Sequence, residues 1–233
     1  MNNLLKNNLL KIYIVIPAYN EARLIARVIK DLFNYGYNNI VVVDDGSTDN
    51  TAGIVKKSNA ELVRHPVNMG PGAAIKTGID YALLKNADII VTFDADGQHL
   101  AKDIPGLIKP IINNEAEITL GNRFLNNKSN VPLFKKVILK TGAILMFLMY
   151  GIISSDAHNG LKAMSRTTAQ RIDIKSNGWE YCSEIIEEVR LKKIKYLEIP
   201  VTVKYSDYSI KKGQKIYNSF YIVSKMFVKW IFG

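Results

Sequence analysis

The first half of the chain alternates short apolar runs with segments of helical periodicity. Four runs rich in β-branched residues predict strands at 12–17, 39–44, 60–65 and 88–93. Between them, apolar positions three and four residues apart predict helices at about 21–34, 49–57 and 72–85. Asn20 and the segment 47–49 are suited to cap the first two helices. The alternation predicts an α/β fold, with a mostly parallel central sheet and helices on both faces.

The second half is less regular. Its pattern predicts a helix near 103–113, a strand at 117–124, a helix near 181–192 and a strand at 195–205. The uncharged segment 142–153 is too short to span a bilayer, so we expect either a buried helix or one in a membrane interface. The last residues are amphipathic. We therefore divide the chain into a main domain at 1–210 and a basic loop with an amphipathic, membrane-interfacial helix at 211–233.

Charge and cysteine content narrow the range of partners. The net charge of +10 over 233 residues indicates an anionic partner, which leaves nucleic acid, a phosphate-bearing small molecule and an acidic membrane surface open. Cys182 is the only cysteine, so we expect no disulfide framework and a buried structural thiol. We also expect no signal peptide, because the first residues lack a long apolar core followed by a small-residue cleavage site.

Polar segments follow the four predicted strands of the first half: PAYNE at 17–21, DDGSTD at 44–49, NMGPGAAIKTG at 68–78 and DADGQ at 94–98. The carboxyl ends of parallel strands meet at one edge of a sheet, where ligands of open α/β folds bind. Asp94 and Asp96 repel each other, which predicts a cation beside them. The third segment lacks the glycine directly before lysine that a P-loop requires, so Lys76 is interpreted either as a solvated charge or as a phosphate contact.

Taken together, the four segments resemble those of the family 2 glycosyltransferases, inverting enzymes of the GT-A fold that use a nucleotide-sugar donor and usually a divalent metal. The resemblance covers about 12–124. It implies a donor site at the ends of the strands, formed by Pro17, Ala18, Tyr19, Glu21, Asp44, Asp45, Gly70, Gly72, Asp94 and Ala95. It also implies that Asp94, Asp96 and Gln98 hold Mg²⁺ or Mn²⁺ against the donor diphosphate. We expect Asp49 to cap a helix. We interpret His99 as an ordinary loop histidine, with a role behind the metal ligands as the alternative.

Later segments bear on the acceptor. GNRF at 121–124, FKKVILK at 134–140 and SDAHNGLKAMSR at 155–166 resemble the dolichyl-phosphate mannose synthase and bactoprenol glucosyltransferase subgroup. The resemblance implies transfer of one sugar to a polyprenyl phosphate that Arg123, Lys136 and Lys140 bind. It places Asp156, Arg123 and Lys136 in the catalytic set. Because a phosphate acceptor is already ionised, Asp156 is interpreted as a base or as a group that orients a sugar hydroxyl or a lysine.

The surroundings follow from this interpretation. We expect a peripheral protein on the cytoplasmic, inner face of the cell membrane, with a small membrane protein as a further partner. One alternative is a family 2 enzyme acting on a soluble or polysaccharide glycan. Another is a non-catalytic nucleotide-binding partner of a membrane complex. Nucleic acid is not an expected partner, because the sequence carries no recognised reading motif.

Overall fold

The computed structural model describes residues 10–126, 129–131, 136–137, 141, 144, 156 and 159–205. The predicted terminal helix at 211–233, Lys140 and nearly all of the apolar segment at 142–153 lie outside these residues. The proposed division at residue 210 therefore stays a prediction. Among the described residues, no helix is both long enough and apolar enough to cross a membrane.

Strands and helices alternate along the described chain. The strands are β1 Ile12–Ala18, β2 Asn39–Asp44, β3 Glu61–Arg64, β4 Ile89–Thr92, β5 Ile118–Asn122, β6 Lys162–Ser165 and β7 Tyr196–Pro200. The helices are α1 Ile25–Asn34, α2 Thr51–Lys56, α3 Pro71–Leu84, α4 Ile104–Ile112, α5 Arg166–Arg171 and α6 Tyr181–Leu191. A 3₁₀ turn at Ala101–Asp103 leads into α4. The strands and helices predicted for the first half are confirmed, with small shifts at their ends except at the start of α1, which is described below.

The described strands form one sheet in the order β3-β2-β1-β4-β6-β5-β7. β1 is parallel to β2 and β4, β2 to β3, and β5 to β7. β6 is antiparallel to both of its neighbours, β4 and β5. The predicted mostly parallel sheet is confirmed. The sequence pattern did not reveal β6 and α5, because a four-residue strand followed directly by a six-residue helix gives neither period enough length to show.

Apolar cores lie on both faces of the sheet. Tyr13 and Val15 of β1 pack with α3 and α6, whereas Ile14 and Ile16 of the same strand pack with α1 and α4. Successive side chains of a strand point to opposite faces, so a strand covered on both sides must be apolar throughout. This explains the unbroken apolar run in β1. Cys182 is buried in the first of these cores, as predicted.

The prediction that α1 starts at Glu21 with Asn20 as its cap is wrong. The helix begins at Ile25, and Asn20 has a positive φ of 54°. Its side-chain oxygen instead accepts hydrogen bonds from the backbone N–H groups of Thr48 (2.9 Å) and Asp49 (3.3 Å). Asn20 thus binds the loop after β1 to the loop after β2, and the helix starts only after this connection.

The predicted strand at 195–205 is shorter in the structure. β7 ends at Pro200; Val201 still donates its backbone N–H to the carbonyl of Asn122 in β5 (3.1 Å), and the residues after it bond to loops. The backbone N–H of Lys204 donates to the carbonyl of Gln98 (2.9 Å), and that of Tyr205 donates to the side chain of Asn130 (2.9 Å). These bonds bring the segment 201–205 to the edge of the sheet where the polar loops lie.

Candidate active site

The predicted polar segments converge at the carboxyl ends of β1, β2, β3 and β4. Ala18 and Asp44, the last residues of β1 and β2, are in register. The N–H of Asp45 donates to the carbonyl of Ala18 (2.8 Å), which fixes the start of the second loop beside the first. Of the predicted donor residues here, Ala18 and Glu21 are buried, Pro17 is half-buried and Tyr19 is exposed. The structure therefore assembles the segments as the parallel sheet predicts.

The carboxylates of Asp44 and Asp45 both hold neighbouring loops in place at this edge of the sheet. The carboxylate of Asp44 forms an ion pair with Arg64 Nε at 2.9 Å and accepts the backbone N–H of Ser47. The carboxylate of Asp45 accepts the N–H groups of Met69 (2.9 Å) and Gly70 (2.8 Å). Asp45 thus holds the loop that leads into α3. Contact of either aspartate with a nucleotide stays a prediction.

His65 contacts the carboxylate of Asp45 and links it to α3. Its Nδ1 lies 2.7 Å from Asp45 Oδ1, and its Nε2 lies 2.9 Å from the hydroxyl of Thr77 on α3. A charged carboxylate that is nearly inaccessible to water needs such partners. The predicted capping role of Asp49 is confirmed, because its Oδ1 accepts the N–H of Thr51, the first residue of α2 (2.9 Å).

Gly70 and Gly72 lie in close contact with the backbone of residues 176–178. A Cβ on Gly70 would lie 2.3 Å from the carbonyl oxygen of Asn177, and one on Gly72 would lie 2.0 Å from that of Ser176. The N–H of Gly72 donates to Asn177 O at 2.7 Å. Both glycines are therefore needed to seat the loop 176–178 against the start of α3. Their predicted proximity to a nucleotide is not tested by this contact.

Asp94 and Asp96 follow β4 and lie in different electrostatic surroundings. His99 Nε2 lies 2.8 Å from Asp94 Oδ2. Burial would raise the pKa of Asp94, but the charge of His99 and the hydrogen bond with it, with smaller effects of Lys162 and Arg123, lower it below its usual value. Burial and the charge of Asp94 raise the pKa of Asp96 to about 6. The two acids are thus close enough to oppose each other's ionisation.

Gln98 and His99 each contact a different acid of the pair: Gln98 bonds to Asp96, and His99 bonds to Asp94. Gln98 donates its backbone N–H to Asp96 Oδ1 (3.0 Å), and its side-chain amide also donates to Asp96. His99 is only 5% exposed, and its Nδ1 is buried with no hydrogen-bond partner among the described residues. The expectation of an ordinary loop histidine is wrong, because His99 is packed under the acid pair and bonded to Asp94.

Arg123 and Asp156 form a buried pair at the end of β5. Asp156 Oδ2 accepts the backbone N–H of Arg123 (2.9 Å), its Nε–H (2.7 Å) and the side-chain amide of Asn159 (2.9 Å). Arg123 Nη1 donates to the hydroxyl of Tyr205. Burial alone would lower the pKa of Arg123, but the charge of Asp156 more than reverses this effect, so the guanidinium stays charged. Asp156 thus holds Arg123, a partner that was not among those expected for it, and its role as a base or towards a sugar hydroxyl stays a prediction.

The acid pair and the arginine pair belong to one site. The charge of Arg123 reaches Asp94 and contributes to its lowered pKa. The charges of Asp156 and Asp96 both act on Tyr205. A cationic group and two acids that could share a divalent cation, at one edge of a sheet, can bind two anionic substrates side by side.

Comparison with known proteins identifies the family. A model of glycosyl transferase family 2 matches residues 13–172. The chain belongs to this family. It is 36% identical over 236 residues to UDP-N-acetylglucosamine–dolichyl-phosphate N-acetylglucosaminyltransferase of Methanococcus voltae, which covers 92% of this chain and 94% of that protein. It is 24% identical over 211 residues to polyprenol monophosphomannose synthase of Mycolicibacterium smegmatis, covering 85% of this chain and 79% of that protein.

A solved structure shares the fold. Glucosyl-3-phosphoglycerate synthase from Mycobacterium tuberculosis, in complex with Mn²⁺, UDP-glucose and phosphoglyceric acid, superposes with a TM-score of 0.76 at 17% identity, over 97% of this chain and 81% of that chain. The predicted family and GT-A type of fold are confirmed. The names of the relatives agree with the subgroup predicted from the later motifs.

The residues of this family 2 glycosyltransferase fit a divalent cation at the acid pair. Asp94, Asp96 and Gln98 offer carboxylate and amide oxygens, which Mg²⁺ and Mn²⁺ prefer. The mutual repulsion that raises the pKa of Asp96 would be relieved by a cation between the acids. No group of three His, Cys, Asp or Glu side chains in the described ranges is arranged to hold a metal by itself. Phosphate oxygens of the donor would complete such a site.

The contacts of the remaining predicted residues of this family 2 enzyme do not tie them to the acid pair or to Arg123. Ala95 is buried between the two acids, and Lys136 is exposed. Lys76 is exposed, with its Nζ 3.9 Å from Asp173, so it is a solvated charge. The roles predicted for Lys136 and Lys140 in binding an acceptor phosphate stay predictions.

The sequence analysis missed two residues at the site of this family 2 glycosyltransferase. Tyr205 contacts Arg123 across 82 positions of sequence, and no local pattern marks it. Lys162 is 2% exposed at the start of β6, where the lysine follows an apolar residue in GLKAMS. A charge inside a short apolar strand is the signal that could have singled it out.

Proposed function

We propose that this chain transfers one sugar from a nucleotide-sugar to a polyprenyl phosphate, with inversion at the anomeric carbon and with Mg²⁺ or Mn²⁺. The observation that carries the proposal is that one short segment contacts both pairs: Asn159 bonds to Asp156, which holds Arg123, and the next residue, Gly160, lies against the carboxylate of Asp94. The relative from Methanococcus voltae supports UDP-N-acetylglucosamine as the first donor to test. The acceptor lipid supports a peripheral position at the membrane surface.

In this proposal the nucleotide lies over the loops after β1, β2 and β3. Tyr19 and Glu21 line the first loop, and Asp45 fixes the third loop through Met69 and Gly70. Asp94, Asp96 and Gln98 would hold the divalent cation, which neutralises the departing nucleoside diphosphate when bound. The donor's anomeric carbon then lies at the end of β4, on the side that faces Arg123.

Arg123 binds the acceptor phosphate in this arrangement. A phosphate oxygen forms the new bond to the anomeric carbon, and the bond from that carbon to the nucleoside diphosphate breaks with its electron pair on the leaving group. The acceptor phosphate is already ionised, so no general base is required for the attack. Asp156 therefore acts by holding Arg123, since its carboxylate is buried and accepts the Nε–H of that arginine.

A donor panel tests the proposal. UDP-N-acetylglucosamine, UDP-glucose and GDP-mannose are each incubated with a polyprenyl phosphate and Mn²⁺ or Mg²⁺, and the lipid fraction is analysed for sugar. We expect one donor to give a glycolipid only when lipid and metal are both present. Donor binding without any glycolipid would reject the lipid acceptor and favour a soluble glycan instead.

A further inference from the structure

Lys162 is a buried cation that the proposed reaction leaves unused. It opens β6 and pairs in register with Thr92 at the end of β4. Its side chain is almost completely buried, and its ammonium donates to the carbonyl oxygen of Asn159. Removal of an ammonium from water costs several kcal/mol unless an opposite charge compensates. The Asn159 carbonyl is therefore the contact through which Lys162 can act on its surroundings.

The charge of Lys162 also acts on Asp94, because it contributes, after His99, to the lowering of the pKa of that acid. The backbone between them is in direct contact with the carboxylate, since a Cβ on Gly160 would lie 2.3 Å from Asp94 Oδ2 and 2.4 Å from Oδ1. The hydroxyl of Thr92 donates to the carbonyl of Gly160 at 2.6 Å. The hydrogen bond from Thr92 therefore holds the bend at 159–162 against the carboxylate of Asp94.

The same bend reaches the arginine pair. The side-chain amide of Asn159 donates to Asp156 Oδ2 (2.9 Å), and its oxygen accepts the N–H of Leu161 (3.0 Å). Asp156 Oδ2 in turn holds Arg123. One short bend thus contacts Asp94 on one side and Asp156 on the other, and Lys162 binds the carbonyl at its start.

We propose that Lys162 is a positioning residue that couples the acid pair to the arginine pair, by holding the bend at 159–162 between Asp94 and Asp156. This inference rests on the proposed function of that site. Loss of the ammonium would release the bend, and the carboxylate of Asp94 that lies against Gly160 would lose its fixed position. The consequence is weaker binding of the divalent cation with the nucleotide, together with a poorer alignment of Arg123.

The test is a Mn²⁺ titration in the presence of UDP, with free Mn²⁺ counted by electron paramagnetic resonance. Lys162→Met removes the charge and the hydrogen bond at similar length, Lys162→Arg keeps a cation, and Lys102→Met is the control at an exposed lysine outside the site. We expect K162M to bind Mn²⁺ about tenfold more weakly, which is the usual cost of losing a group that orients a metal ligand. K162R and K102M should stay within about threefold of the unaltered protein, where K162R restores the cation.

The outcomes separate the inference from the proposed function. Equal Mn²⁺ affinity in K162M and the unaltered protein, with thermal unfolding as the fold check, would overturn the positioning role and leave the transferase assignment standing. If K162M does not fold, Lys162→Gln replaces it, because glutamine keeps a hydrogen-bond donor without the charge, and unaltered affinity in K162Q would equally overturn the role. Absence of Mn²⁺ binding by the unaltered protein with UDP would reject the metal site itself and the inference with it.

Discussion

Two aspartates one residue apart behave differently because their neighbours differ. Asp94 has His99 bonded to it and two cations within electrostatic range, so its pKa lies below the usual value. Asp96 is buried and then faces the charge of Asp94, and both effects raise its pKa to about 6. The same pair is therefore prepared to accept a divalent cation, which would stabilise both carboxylates in their charged forms.

Replacement of Asp96 by asparagine should remove the cation without disturbing the fold. Asparagine has the same shape but lacks the charge, so we expect metal-dependent transfer to fall by at least about 100-fold. Asp80→Asn, at an exposed position of α3, is the matched control and should keep full activity. Initial rates of glycolipid formation at saturating Mn²⁺ measure the effect. A D96N variant with more than about a tenth of normal activity would disprove the assignment of Asp96 as a metal ligand.

The elements of the donor half are joined by a loop that comes from far along the sequence. Glu184 of α6 accepts the N–H groups of Lys175 (3.0 Å) and Ser176 (2.8 Å), and this loop then packs on the two glycines at the start of α3. Asp45 binds the same start of α3 from the opposite side. The position of α3, and with it one wall of the proposed donor site, thus depends on α6.

Substitution of Gly72 tests this packing. Alanine at Gly72 would place its Cβ 2.0 Å from Ser176 O and 2.9 Å from Gly178 O, so Gly72→Ala should destabilise the protein by about 2 kcal/mol. Gly106→Ala is the matched control, because Gly106 lies within α4 and its Cβ would meet only a side-chain methyl at 3.4 Å. There the higher helix propensity of alanine should stabilise by roughly 0.5–1 kcal/mol. Urea unfolding should give shifts of opposite sign, and equal shifts would refute the packing argument.

The first residue of β3, Glu61, is held by two tyrosines and a lysine. Glu61 accepts hydrogen bonds from the hydroxyls of Tyr13 (2.8 Å) and Tyr81, and its Oε2 lies 3.1 Å from Lys85 Nζ. Burial would raise the pKa of Glu61, but these partners lower it below its ordinary value of 4.5. Because the folded-state pKa is the lower one, the stability that Glu61 contributes is present above about pH 4.5 and is lost as the pH falls through the folded-state pKa.

Glu61→Gln should therefore lower stability in a pH-dependent way. At pH 7 we expect a loss of about 1 kcal/mol, reduced from the value of a buried charged hydrogen bond because the cluster is partly exposed. The difference from the unaltered protein should shrink as the pH falls below about 4.5, where both carry a neutral side chain. Urea unfolding from pH 7 downwards gives the comparison, with Glu115→Gln at an exposed position as the control. A difference that does not change with pH would exclude the charge of Glu61 as its cause.

The sequence predicted contacts that are local or that follow from a parallel sheet. The acid pair, the loop after β2 and the convergence of the strand ends can all be deduced from neighbouring residues. The Arg123–Tyr205 bond and the packing of Gly72 on Ser176 could not be, because they join segments about 80 to 100 residues apart through loops without a periodic pattern. The error at Asn20 has a similar origin, since its partner loop outweighs the local preference for a helix cap.

At the scale of the whole molecule, the two halves of the sheet carry different parts of the proposed site. Strands β1 to β4 supply the loops of the donor side, whereas β5 and the segment after β7 supply Arg123 and Tyr205. The antiparallel strand β6 lies between the halves and carries Lys162 at its start. This division predicts that donor binding and acceptor use can be impaired separately.

Arg123→Met should impair acceptor use alone. Methionine keeps part of the buried volume but cannot bind a phosphate, so kcat/KM for the lipid should fall at least about 100-fold, while UDP binding with Mn²⁺ changes by less than about threefold. Tyr205→Phe, which removes one hydrogen bond to Arg123, should give a smaller loss of the same kind. Lipid kinetics and UDP calorimetry measure the two effects. Equal losses of UDP binding and lipid use would contradict the separation of the halves.

The nucleotide released during the reaction tests the central claim most directly. Attack of a lipid phosphate on the anomeric carbon releases the nucleoside diphosphate and yields a lipid with one phosphate between sugar and chain. With UDP-N-acetylglucosamine and a polyprenyl phosphate, we therefore predict stoichiometric UDP and a lipid monophosphate sugar, separated by chromatography and identified by mass. Release of UMP with a lipid diphosphate sugar, or release of UDP with no glycolipid, would contradict the account.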